Sequence, residues 1–228
     1  MNKDRFFGEH KFLIGYLKTM SEGSISPEID EGEREPIESL AKKLDEKIGE
    51  KEGVSISQAW EYRERVRAKY QLPECAGRWE NPVGYIDKIT KFAKEKGIPI
   101  RPKDEFQPFF KKYKNAKAAI IDNGLVVEKT PGSDWFSLRA LANQLSHEIV
   151  HGLQNQKYPR MSDEEAEREA FYYQMITPER IRRYEDNPEF LHHYINEVVE
   201  ADIKTSCAND QAIREDRFSS ANNNQEEQ

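Results

Sequence analysis

Between Trp135 and Gln156 apolar residues recur at Phe136, Leu138, Leu141, Ala142, Leu145, Ile149, Val150 and Leu153. That is the spacing of a helix with one buried face. Residues 4–20 carry a shorter pattern, with Phe6, Phe7, Phe12, Leu13, Tyr16 and Leu17 on one side of an amphipathic helix. Pro36 opens a further helix through Ile37, Leu40, Ala41, Leu44 and Ile48, which stops near Gly49. Ser57 is expected to cap a charged amphipathic helix over Gln58–Tyr70. Beyond the loop Leu72–Pro82, Val83–Lys96 turns Tyr85, Ile86, Ile89, Phe92 and Ala93 inward and ends at Gly97, with Pro99 following.

Two stretches read as β-strands. Ala116–Ile121 and Leu125–Lys129 flank Asn123-Gly124, a pair that favours the tight turn of a β-hairpin. Ile98–Pro102 reads as a short edge strand. Ser133 or Asp134 then caps the long helix, and Ser162 with Glu165 forms a capping-box signature for the next one. Pro178–Tyr184 and Pro188–Thr205 complete the helices, the latter with Phe190, Leu191, Tyr194, Val198 and Ala201 at helical spacing. The fold class expected is α+β: mostly helical, with a small sheet packed on the long helix and additional N- and C-terminal helices. Three regions follow: 1–97 a helical lobe or regulatory segment, 98–218 the domain with the long helix, and 219–228 a disordered tail. The segment 21–35 is polar, acidic and carries Gly and Pro, as a linker does.

Composition narrows the class. With 36% hydrophobic and 34% charged residues the chain supports one modest core. A net charge of -7 argues against a nucleic-acid partner held by a basic surface. No run nears the roughly 18 apolar residues a membrane span needs. Phe12–Leu17 is too short and interrupted for a signal-peptide core, so the expected location is cytoplasmic. Cys75 and Cys207 are far apart without a Cys-x-x-Cys, which reads as two thiols in a reducing compartment, with one disulfide as the alternative. Oligomeric state is not encoded in any of these features.

The long helix contains His147-Glu148-Ile149-Val150-His151. Histidines four apart project from one face, one turn apart, as two ligands of a single zinc ion do. Glu148 then lies where it can take a proton from a water that the metal activates. The bland reading is a helix with two packing histidines. Leu145, Ile149 and Val150 bury this helix, however, and buried imidazoles beside a carboxylate need a partner that a cation supplies. A catalytic zinc needs a third protein ligand. The next helix has an apolar stripe of Ala166, Ala170, Phe171 and Tyr173, with Glu167 inside it and Glu165, Arg168 and Glu169 expected on the far side. Glu167 is therefore the third candidate and Glu164 the reserve, while Asp163 and Glu165 suit the helix dipole.

The stretch HEIVHGLQ followed by EREAF resembles the zinc metallopeptidases called gluzincins, the small ones in particular, over about residues 116–178. The resemblance implies Zn2+ held by His147, His151 and Glu167, Glu148 as general base, and a peptide or protein substrate. It also implies a zincin-like domain whose edge strand holds substrate in extended form. A hairpin that merely covers the helix is the competing reading. Where the family pattern places Asp or Asn four residues after the Glu ligand, this chain has Phe171, so another acceptor must orient His147. A donor to the developing oxyanion is also expected; Tyr173, on the face of Glu167, is the candidate, with Tyr172, Tyr184, His192 and His193 as alternatives.

Three rival functions remain on sequence grounds. The same metal site could hydrolyse another amide, or the metal could clamp two helices of a non-catalytic interaction module. A repressor-cleaving regulator is the third, though no helix-turn-helix segment accompanies it here. The acidic segment 21–35 is a candidate latch for the site.

Overall fold

The computed structural model describes residues 35–74, 78–102, 106, 118–121, 123–127 and 135–208. The expected helix at 4–20, the acidic segment 21–34, Cys75 and the tail 219–228 lie outside the described residues. In chain order come α1 (Ile37–Ile48), α2 (Ile56–Tyr70), α3 (Pro82–Glu95), β1 (Ile100–Pro102), β2 (Ala118–Ile121) and β3 (Gly124–Val127). Then follow α4 (Trp135–Lys157), α5 (Asp163–Met175), α6 (Pro178–Arg183), α7 (Pro188–His193) and a π-helical turn, Tyr194–Val199. The α+β class is as expected. No described helix is long and apolar enough to cross a membrane.

Local chemistry fixes the helix ends. Ser55, rather than Ser57, caps α2: its Oγ accepts from Gln58 N–H (3.2 Å) while Gln58 Oε1 accepts from Ser55 N–H (3.0 Å). Both halves of a capping box are thus made. Asp45 takes the next two N–H groups, those of Ile56 and Ser57, at 2.8 and 3.0 Å. The helix starts early because Ile56 is fully buried and belongs to the core. Asn81 caps α3 and Ser162 caps α5 through Glu165 N–H. The expected helix from Pro188 onward is interrupted by the π-turn, in which Asn196 donates to the carbonyls of His192 (2.9 Å) and Val54 (3.0 Å). Asn196 Oδ1 also accepts from Val54 N–H at 2.7 Å. The widened turn puts Asn196 against the chain entering α2 while keeping Tyr194, Ile195 and Val199 in the core.

The sheet has the order β1-β3-β2. β2 and β3 form a hairpin, as expected, antiparallel with Ala118 opposite Val127 and Ile121 opposite Gly124. Gly124 is the first residue of β3 and not part of the turn, which lies one residue earlier than the Asn123-Gly124 pair predicts. Asn123 takes the positive φ (60°) that its turn requires. β1 adds in parallel to β3, with Ile100 opposite Leu125.

Two apolar clusters organise the helices. One gathers Leu141, Ala142, Leu145, Ile149, Val150 and Leu153 of α4 with side chains of α2, α3 and the sheet, and with Ala170 and Tyr173 of α5. The other joins α1, the start of α2, and the α6–π-turn region to Tyr172 of α5 and to Ile176 just beyond it. Helices on both sides of residue 97 therefore contribute to each. Because α5 contributes to both clusters, it is covered on two adjoining faces. Glu169, expected on an open side, is consequently buried, at 4% exposure.

Candidate metal centre

The paired helices α4 and α5 bring three sequence-predicted ligands together. His147 Nε2 and His151 Nε2 face each other at 2.9 Å. The Glu167 carboxylate closes the triangle, with Oε2 at 3.2 Å from His147 Nε2 and Oε1 at 3.3 Å from His151 Nε2. Two ligands about 2.0–2.1 Å from one ion at the tetrahedral angle stand about 3.3–3.4 Å apart. The two Glu167 separations match this, and the 2.9 Å between the imidazole nitrogens is tighter, so a bound cation would spread the two rings. His147, His151 and Glu167 form a group able to hold a metal ion. The reserve ligand Glu164 is exposed and pairs with Arg168 at 3.1 Å.

The donor set argues for a cation independently of its spacing. Glu167 is 3% exposed, and its Oε2 has no hydrogen-bond partner. Buried carboxylate oxygens rarely stay unsatisfied. Each histidine turns its other nitrogen to an amide oxygen: His151 Nδ1 to Gln154 Oε1 at 2.8 Å, His147 Nδ1 to Gln174 Oε1 at 3.2 Å. A carbonyl oxygen only accepts, so Nδ1 carries the hydrogen, and the neutral rings aim lone pairs inward at Nε2. Two lone pairs and a carboxylate then meet at one point. A positive species is the natural resolution, and the residues fit a divalent metal.

Without metal, a proton takes that role. Burial disfavours a charged His151 ring, but hydrogen bonding to Glu167, its charge, and the charge of Glu148 outweigh burial and raise the pKa to about 9. Burial alone would raise Glu167; the facing imidazoles, when they carry a proton at Nε2, reverse this through hydrogen bonds and charge and hold it well below the usual carboxylate range. Burial pushes Glu148 up, opposed by the neighbouring histidines and the Ile120 N–H.

Glu148 sits beside the cluster and tethers the sheet. Its Oε2 accepts from Ile120 N–H at 2.9 Å, and one turn earlier Gln144 Oε1 accepts from Ala118 N–H at 3.2 Å. The N–H groups of Ala118 and Ile120 thus turn toward α4. Among the described residues β2 is an edge strand, and it lies along the helix that carries the histidines.

The remaining candidates are placed elsewhere. Tyr173 is fully buried and its hydroxyl donates to the Pro73 carbonyl at 2.7 Å. That donor is already engaged. Tyr172 donates to Glu200 (3.3 Å), and Tyr184 stacks on Phe190. His192 lies beside Asn196 and His193 is exposed. Phe171 meets His147 edge-on, ring centroids 4.5 Å apart. The acceptor for His147 is therefore Gln174, three residues beyond Phe171, on the next turn of α5. Sequence reading missed both glutamines, since an amide carries no motif of its own; the only signal was their helical phase, one turn from His151 and two turns from Glu167. Compared with protein-family models, curated proteins and solved structures, the chain has no match.

Proposed function

We propose that this chain is a zinc-dependent metallopeptidase of the gluzincin type, hydrolysing peptide bonds in a peptide or protein substrate. The observation that carries the reading is the convergence of His147 Nε2, His151 Nε2 and the Glu167 carboxylate within 3.3 Å of one another, with Glu148 next in sequence on the same helix. Bound there, zinc supplies a Lewis acid that brings the acidity of a water toward neutral pH and polarises the scissile carbonyl.

The chain's own groups do the rest. Glu148, its pKa raised by burial, accepts the water's proton and returns it to the leaving amine. His147 and His151, with side chains 12% and 18% exposed, leave the cluster reachable from solvent. Three protein ligands and access for a fourth group suit catalysis better than a closed structural clamp. The β2 edge offers backbone groups to an extended substrate, which competes there with the Gln144 and Glu148 side chains.

The test pairs metal analysis with a peptide-library cleavage assay. Wild type should carry about one zinc per chain and cleave, while Glu148→Gln keeps the metal and loses at least about 100-fold in turnover. Glu148→Gln cleaving at the wild-type rate overturns the mechanism. Metal retained with no cleavage of any peptide favours the interaction module.

A further inference from the structure

Gln154 lies one turn beyond His151 on α4 and is 2% exposed. Its amide has a single orientation available. Nε2 donates to the Ala166 carbonyl at 3.1 Å and to Glu169 Oε2 at 2.9 Å. A carbonyl and a carboxylate can only accept, so the NH2 group must face them and Oε1 must face His151. Glu169 is itself held: Lys69 Nζ donates to its Oε1 and the Tyr70 hydroxyl to its Oε2, both at 2.6 Å. The order runs Lys69 and Tyr70 on α2, Glu169 on α5, Gln154 and His151 on α4.

We infer that Glu169, acting through Gln154, fixes the tautomer of His151 and so makes Nε2 its metal-binding nitrogen. The inference rests on the metal reading of the His147–His151–Glu167 cluster. Glu169 is a positioning residue here, since it touches neither the cluster nor substrate. An amide passes on direction and not charge: it dictates which nitrogen keeps the hydrogen while the carboxylate stays one residue removed from the ring. A carboxylate placed directly on Nδ1 would add negative charge to the site. The same carboxylate behind Gln154 orients the ring and leaves its charge with Lys69.

A packing role for this network predicts lost stability without selective loss of metal affinity, and a double-mutant cycle separates the two. Metal-stripped full-length chain is titrated with Co2+ by visible absorption, and with Zn2+ against a chromogenic chelator. Gln154→Met, similar in length but without the amide, should weaken both metals about 10–100-fold. Glu169→Gln should weaken them several-fold, less than Gln154→Met does, because it removes one of the two acceptors that orient Gln154 and leaves the Ala166 carbonyl in place. In the Gln154→Met background, Glu169→Gln should have no further effect on affinity. Additive effects, or Gln154→Met binding metal as wild type does, overturn the inference.

The imidazole 15N spectrum of the metal-free protein gives a second readout, taken above the imidazolium transition. Wild type should show His151 protonated at Nδ1, and Gln154→Met a mixture of tautomers. An unchanged mixture or an Nε2–H tautomer in wild type overturns the relay even where metal binds. Wild type that binds neither metal overturns the metal reading instead, whatever the tautomer.

Discussion

The carboxylate of Glu148 and the backbone N–H of Ile120 are joined at 2.9 Å, so the candidate general base is tied to the edge strand. One residue thereby holds the sheet and, in the proposed mechanism, moves the proton. Removing the carboxylate entirely should expose the structural share: Glu148→Ala leaves a part-buried N–H without its acceptor and should lower stability by about 1–3 kcal/mol. Glu148→Gln still offers a carbonyl oxygen to Ile120. Its urea midpoint should stay near wild type while hydrolysis is lost. Equal midpoints for the alanine and glutamine variants would show that the tether carries no stability.

Phe171 gives a second test, because the family pattern calls for an acid there. His147 Nδ1 already faces Gln174 Oε1, and Phe171 packs its ring edge-on against the imidazole. Phe171→Asp should therefore leave zinc affinity no higher than wild type. It should also cost about 1–2 kcal/mol of the apolar burial that Phe171 contributes to the second cluster. Gln174→Ala, by contrast, should weaken zinc about tenfold. Competition with a chelator measures both, and a gain of affinity in Phe171→Asp would reassign the orienting group.

Much of this was legible in the residues because it is local. Among the described residues apolar spacing and caps placed the helices up to Arg183 to within about two residues, and Asn123-Gly124 placed the hairpin to within one. The helix expected over Pro188–Thr205 is broken by the π-turn. The costly carboxylate inside the α5 stripe pointed to Glu167. Longer-range facts were not legible. Nothing near Ile100 says that it pairs in parallel with Leu125. The burial of Glu169 follows from α2 covering a face of α5 that looked open. Gln154 and Gln174 matter only through partners on other turns or other helices. The π-turn answers to Val54, 142 residues away from Asn196.

Gly152 follows His151 where α4 meets the sheet. A Cβ there would stand 2.9 Å from Ile98 Cδ1 and 3.2 Å from Ile120 Cδ1. Both are side-chain tips, so alanine has some room to be accommodated. Its better helix propensity, about 1 kcal/mol over glycine, offsets part of the crowding. Gly152→Ala should thus stay within about 1 kcal/mol of wild type. Gly152→Val brings added branches and a poorer propensity, and should cost about 2–3 kcal/mol by overpacking. Urea unfolding of both variants decides this; a Gly152→Val chain as stable as wild type would mean that the helix rides higher on the sheet than the 2.9 Å approach implies.

The raised pKa of His151 ties metal binding to pH with a definite sign. In the metal-free chain the ring moves from an ordinary value of 6.5 to about 9. A raised basic group favours the folded state fully below its unfolded pKa, and that contribution fades as pH climbs through the folded one. The metal-free melting temperature should therefore fall between about pH 6.5 and 9 from this source, and the zinc-loaded chain should lack that fall because the ligand nitrogen holds no proton. Zinc must also displace the proton, so its apparent affinity should rise with pH up to about 9 and level off above it. Calorimetric titrations in buffers of different ionisation enthalpy should count about one proton released per zinc at pH 7.5 and none from this ring above pH 10. An affinity unchanged from pH 7 to 9 would show that no proton occupies the cluster in the metal-free protein.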